Sequence, residues 1–143
     1  MAKPDPELLD PARYPFSASV QTRYGDLDTN GHINNVAIAS MFEHARVQLY
    51  DTLGYGAATP GLATMVVSLT IEFIGQAFCP QAIEVHSAVS RIGGASYTVS
   101  QLMRQDGRTV AYASSVCVGV AGDRATTLPA SLKQALQAFE LRG

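Results

Sequence analysis

A chain of 143 residues with 47% hydrophobic and 15% charged content has the size of one globular domain and is short for two. Its formal charge of −2, with Arg13, Arg23, Arg46, Arg91, Arg104 and Arg108 scattered along the chain, leaves no electrostatic footprint for nucleic acid. The two cysteines, Cys79 and Cys117, have neither metal-ligand spacing nor the number of a disulfide framework, and no apolar run approaches the ~20 residues that span a bilayer.

The start of the chain, with Pro4, Asp5, Pro6 and Glu7, lacks the apolar stretch of a signal peptide. These features together lead to the expectation of a cytoplasmic protein with no membrane partner. The low charge content also suggests that some apolar surface is shared between subunits.

Residues 1–14 carry Pro4, Pro6 and Pro11 without apolar periodicity and read as an irregular arm, leaving 15–143 as one domain. From Phe16 the chain alternates, with Phe16, Ala18, Val20, Thr22 and Tyr24 on one face of a first strand. Residues 25–32 are dense in turn formers, and Asn34 or Asn35 can cap a helix by accepting free backbone N–H groups. That helix is expected over about 36–53 and stops at Gly54. Its apolar residues (Val36, Ala39, Phe42, Leu49 and Leu53, flanked by Ile38, Met41, Ala45 and Val47) cover more than one stripe, as in a helix wrapped by other elements.

Four alternating runs follow, over about 64–73, 83–89, 97–103 and 110–120. In the first, Met65, Val67, Leu69, Ile71 and Phe73 fall on one face. Gly93 with Gly94, and Asp106 with Gly107, accept the positive φ of two-residue hairpin turns. A short helix near 130–139 closes the chain. The order strand, long apolar helix, four strands makes this an α+β chain whose antiparallel sheet of about five strands curls around a central helix. On the sheet's other face Val66, Leu102 and Ala111 are available to pack against a second subunit.

Asp26, Asp28, Gly31, His32, Asn34 and Asn35 form the pattern Asp-x-Asp-x-x-Gly-His-x-Asn-Asn, followed by Phe42, Glu43, Ala45 and Arg46 as Phe-Glu-x-Ala-Arg. Over roughly residues 15–125 the chain resembles the thioesterase branch of the hotdog superfamily, the branch of 4-hydroxybenzoyl-CoA thioesterase and the bacterial long-chain acyl-CoA thioesterases. The resemblance implies a hotdog fold and hydrolysis of an acyl-CoA thioester to free acid and coenzyme A. It places the catalytic carboxylate on Asp28, and it implies a homodimer or homotetramer with active sites between subunits.

The residues support that chemistry independently. A carboxylate in a loop that feeds a helix N-terminus sits beside free N–H groups and the positive end of the helix dipole. Those N–H groups can hold a thioester oxygen as it becomes an oxyanion, while Asp28 acts as nucleophile or as general base on water. The thiolate leaves readily, so no metal and no cofactor is expected beyond coenzyme A within the substrate.

The substrate-binding candidates are Gly31, His32, Asn34, Asn35 and Ile38, with Arg91 and Arg104 for the coenzyme A phosphates. Where many relatives carry a tyrosine this chain has Ile38, so the expected acyl group is aliphatic. Simpler roles stand beside these. Asp26 and Asp28 can hold Asx turns; Glu43 and Arg46 can pair at an interface or in solvent, with Glu43 as a backup acid; Glu72, His44 and His86 fit surface or interface roles; Cys117 fits an inert buried thiol. Two other functions share the fold: a non-catalytic acyl-CoA-binding module and a hydratase or dehydratase.

Overall fold

The computed structural model describes residues 4–55 and 59–143; residues 1–3 of the expected arm, and 56–58, lie outside the described residues. Its elements are β1 (Phe16–Val20), α1 (Asn35–Leu53), β2 (Ala63–Phe73), β3 (Ile83–Ile92), β4 (Ser96–Gln105), β5 (Arg108–Ala121), β6 (Arg124–Ala125) and α2 (Ala130–Gln137). The sheet order is β1-β3-β4-β5-β2, with the two-residue β6 on β5, and every pair is antiparallel. This is the expected hotdog arrangement, with one short strand more than the alternation reveals.

The first strand stops at Val20, earlier than the pattern suggests. Side chains take over there: Gln21 Nε2 and Thr22 Oγ1 donate to the carbonyls of Pro80 and Gln81 at 3.0 Å each. Tyr24 lies in a 3₁₀ turn and is 82% exposed.

Helix α1 is capped by Asn34, whose Oδ1 accepts the Ala37 N–H at 2.8 Å, and it ends on left-handed Gly54. Its first half packs Ala37, Ile38, Met41, Phe42 and Ala45 against Ala18, Ile83, Val85, Met103 and Ala113. Its second half packs Leu49 and Leu53 against Val89, Val99, Cys117 and the Leu132 and Leu136 of α2. The helix is not wrapped all round. Val36 and Val47 are 72% and 48% exposed, because their side of the helix turns away from the sheet.

Arg46 is buried, so the pairing with Glu43 considered from sequence does not form. Its Nη1 donates to Gln101 Oε1 at 3.3 Å and to Ser115 Oγ at 3.2 Å. Gln101 in turn donates to the Phe42 carbonyl and to Ser87 Oγ, each at 3.1 Å. The small inward residues of the middle strands thus leave room for a polar node that ties α1 to β3, β4 and β5.

Two turn readings divide. Asp106 and Gly107 both have positive φ, 51° and 75°, as a mirror-image two-residue turn requires. The β3–β4 connection has three residues, and neither Gly93 nor Gly94 adopts positive φ. Gly93 instead sits close to the returning strand, where a Cβ would lie a tight 3.2 Å from the Ser96 carbonyl oxygen.

The convex face also differs from expectation. Leu102 is covered by the chain's own arm, in a cluster with Tyr14, Ala88, Leu9 and Leu141. The arm is held by 3₁₀ turns over Pro6–Leu9 and Pro11–Arg13, capped by Asp5 and Asp10, and by the Arg142 N–H bond to the Arg13 carbonyl at 2.8 Å. Ala111 points into the main core. Val66 lies beside Val67, the extra residue of a bulge where Val66 pairs with Cys117 and Ser68 with Val116. A one-residue insertion exchanges the two faces of a strand. Met65 therefore leaves the face of Leu69, Ile71 and Phe73, and Val66 takes its place on the concave side.

Candidate active site

The loop from Arg23 to Asn34 is built by its own acids. The Asp26 carboxylate is buried, accepts the Arg23 N–H at 3.2 Å and pairs with the Arg23 guanidinium at 3.0 Å. Its carbonyl accepts both the backbone and side-chain N–H of Asn34, at 2.8 and 2.9 Å. Asp26 thus closes the turn and fixes the helix cap.

Asp28 is exposed, and its Oδ1 accepts the N–H groups of Asn30 at 2.8 Å and His32 at 3.1 Å. Gly31, at φ 78°, supplies the left-handed step between them at no Cβ cost. The Asx-turn role is therefore real for Asp28, but it occupies one oxygen only. Among the described residues no protein group donates to Oδ2.

Downstream, Asn34 N–H is taken by Asp26, Ala37 N–H by the cap and Ile38 N–H by the Asn34 carbonyl. The N–H groups of Asn35 and Val36 have no partner among the described residues. They are the free donors that a helix N-terminus offers to an anion.

A cavity of about 220 Å³ brings Asp28 and Asn35 together, lined by Asp28, Ile33, Asn35, Ile38, Phe73, Gly75, Gln76 and Ala77. Two larger grooves, of about 540 and 580 Å³, do not touch Asp28. One runs along the other flank of α1 past Val36, Ser40 and His44, and the other lies between the β3–β4 hairpin and α2. Chemistry, not size, selects the smaller cavity, where the Asp28 carboxylate, the free N–H of Asn35 and the side chains of Ile33, Ile38 and Phe73 converge.

Of the residues singled out from sequence, Asp28, Asn35 and Ile38 line this cavity, Asn34 caps the helix beside it, and Gly31 and His32 shape its loop. Arg91 is not brought there within one chain. It sits in the groove beside α2, eight residues along β3 from Ile83, or roughly 26 Å at ~3.3 Å per residue. Arg104 is at the right end of the sheet, but its Nη2 donates to the Gly107 carbonyl of its own hairpin at 2.7 Å.

The bland readings also acquire places. His44 contacts Gln48 at 2.8 Å on the exposed side of α1. His86 lies on the convex face near Tyr14, and burial lowers its pKa from the usual range. Burial pushes the Cys117 thiol up, and its Sγ lies 3.4 Å from the Tyr50 hydroxyl, which suits an inert thiol.

Sequence reasoning missed the far wall of the site, residues 74–81. Gly75 approaches β5 so closely that a Cβ would lie 2.7 Å from the Thr109 carbonyl oxygen. Gln105, 1% exposed, holds Phe78 at both backbone groups, accepting its N–H at 2.8 Å and donating to its carbonyl at 2.7 Å. The Ala77 carbonyl accepts the Ile33 N–H at 2.8 Å and so joins this wall to the Asp28 loop. The His32 ring stands edge-on to Phe78 at 5.3 Å, and the Arg108 guanidinium lies over Phe78 at 5.6 Å. The only local signal was Gly75, which sequence alone does not distinguish from an ordinary turn.

Residues 22–137 match the thioesterase-like superfamily, and the chain belongs to that family. Fold and family agree on the class, a hotdog-fold member of the thioesterase-like superfamily. The PA5185 protein of Pseudomonas aeruginosa PAO1 is similar over 91% of this chain and 94% of its own, with 26% identity and a TM-score of 0.82. A thioesterase from Thermus thermophilus, solved in complex with coenzyme A and Zn, has a TM-score of 0.81 at 23% identity over 88% of this chain and 94% of its own. The Bacillus subtilis (strain 168) protein YsmA is 25% identical over 89 residues, 62% of this chain, and the match spans 60% of the length of that relative. Among the described residues no helix is long and apolar enough to cross a membrane.

Proposed function

We propose that the protein hydrolyses an acyl-CoA thioester to a free carboxylic acid and coenzyme A, with Asp28 as the catalytic carboxylate. The observation that carries this reading is Asp28, with its Oδ2 unpartnered among the described residues, on the wall of the same cavity as Asn35, whose N–H at the start of α1 is free. The thioester oxygen takes the free Asn35 N–H at the positive end of α1, which opposes the charge it gains. Asp28 either draws a proton from an attacking water or adds to the carbonyl itself and is released by water. In both routes the C–S bond breaks and the thiolate leaves as coenzyme A.

Ile33, Ile38 and Phe73 give the lining an apolar wall without a phenolic hydroxyl, which favours an aliphatic acyl group over a hydroxylated ring. The site is proposed to be completed by a second copy of the chain. Phe73 on the cavity wall is 54% exposed and belongs to β2, an edge strand whose concave residues Val66 and Leu69 are also uncovered. Pairing β2 with β2 of a second copy would satisfy the edge and cover that surface. Two free cysteines fit the proposed cytoplasmic setting.

One observation favours the alternative of a non-catalytic binding module: Oδ1 of Asp28 already has a structural task in its loop. Thiol release from octanoyl-, palmitoyl- and 4-hydroxybenzoyl-CoA separates the readings. Release faster from the aliphatic substrates supports the proposal, preference for the aromatic one overturns its acyl assignment, and binding without release supports the module.

A further inference from the structure

An acyl-CoA carries several negative charges at its nucleotide end, yet this chain has a net charge of −2, so its cations must be placed with economy. Most are committed or remote. Arg23 pairs with Asp26, Arg13 pairs with Glu7, Arg46 is buried in the node under α1, and Arg104 is turned to its own hairpin. Arg91 and Lys133 share the distant groove beside α2.

Arg108 differs. Its Nη1 donates to the Gln76 carbonyl at 3.1 Å, its guanidinium rests over the Phe78 ring, and no acid pairs with it among the described residues. Gln76 itself lines the Asp28 cavity. Arg108 is therefore a cation held in place at the cavity rim, with most of its N–H donors unused.

We infer that Arg108 is the phosphate-docking residue of the site and holds the diphosphate of the coenzyme A nucleotide. The inference rests on the thioesterase reading and adds the position of the substrate's charged end. Arg108 is linked to the catalytic loop through a short series of contacts. An extended pantetheine arm spans on the order of 15 Å, as a chain of its bond count does, while Asp28 leads to Arg108 through His32 and Phe78 by one hydrogen bond and two ring contacts.

Preorganisation strengthens the contact. The guanidinium is already ordered by the Gln76 carbonyl and the Phe78 ring, and Gln105 fixes Phe78 in turn, so little side-chain freedom is lost when a phosphate arrives. A guanidinium also matches two phosphate oxygens with two parallel N–H donors, which a lysine cannot do.

The test compares one acyl group carried on coenzyme A and on pantetheine, which lacks the nucleotide and its phosphates. For Arg108→Ala the kcat/KM preference for the coenzyme A form over the pantetheine form should fall roughly ten- to hundredfold, the worth of one charge-assisted contact. The loss should appear in KM, and Arg108→Lys should recover part of it. Calorimetric titration with free coenzyme A tests the same contact without turnover: Arg108→Ala should weaken binding by a similar factor. An unchanged preference, equal losses on both substrates, or unchanged coenzyme A binding overturns the inference. Failure of the thioesterase reading shows differently, as wild-type protein that binds coenzyme A but releases no thiol.

Discussion

The concave face of the sheet has two halves with the same chemistry and opposite fates. Over β3, β4 and β5 the inward residues Val85, Val99, Met103 and Ala113 have no exposure, whereas Val66, Leu69 and Phe73 on β2 are 40%, 43% and 54% exposed. The cause is dimensional. A helix about 10–12 Å across cannot span five strands spaced ~4.8 Å apart. Helix α1 sits toward β1, β3 and β4, so β2 at the far end of the order is left uncovered. One half is a finished core, and the other is core material without its cover. The Asp28 cavity lies where they meet, with Ile38 from the covered side and Phe73 from the open one.

The comparison can be broken first on the covered side. Leu49, fully buried between α1, β3 and α2, should cost about 2–5 kcal/mol of folding stability when replaced by alanine, seen as a lower denaturant midpoint at unchanged slope. The same Leu→Ala change at Leu69 should cost the isolated chain much less, because less than the full side chain is buried. Leu69→Glu sharpens the contrast: sedimentation should show a shift from dimer to monomer with circular dichroism retained, and thiol release should fall with the dimer. A folded, still dimeric Leu69→Glu variant would remove β2 from the proposed interface.

A smaller effect belongs to the convex face. Burial favours neutral His86 in the fold, so the unfolded chain binds the extra proton. Stability should therefore rise with pH, from the depressed folded pKa up to the unfolded value near ~6.5. His86→Gln should flatten that acid-side slope of Tm by a small but measurable amount, and an unaltered slope would assign the acid sensitivity elsewhere.

Much of this was legible in the residues. Period-2 and period-3.6 patterning located five strands and both helices, and turn chemistry located the Asp106–Gly107 hairpin. What escaped has physical reasons. The bulge at Val67 exchanges strand faces without any compositional mark, so Met65 and Val66 traded places. Leu102 looked available because arm residues without periodicity do not announce that they pack. Arg46 looked like a surface charge because its partners, Gln101 and Ser115, are far away in sequence and uncharged. In the site, the Asp28 loop was readable as a continuous motif, but its opposite wall, with Phe78 and Arg108, is assembled from separate segments by Gln105 and Gly75.

Asp28→Asn is the direct test of the central claim. Asparagine keeps Oδ1 as acceptor for Asn30 and His32, so the loop can persist while the charge on the free oxygen is lost. With Tm close to wild type, kcat for thiol release from palmitoyl-CoA should fall about 10²–10⁴-fold, the usual contribution of a positioned base. Turnover within a few-fold of wild type would show that Asp28 serves the loop alone and would contradict the account.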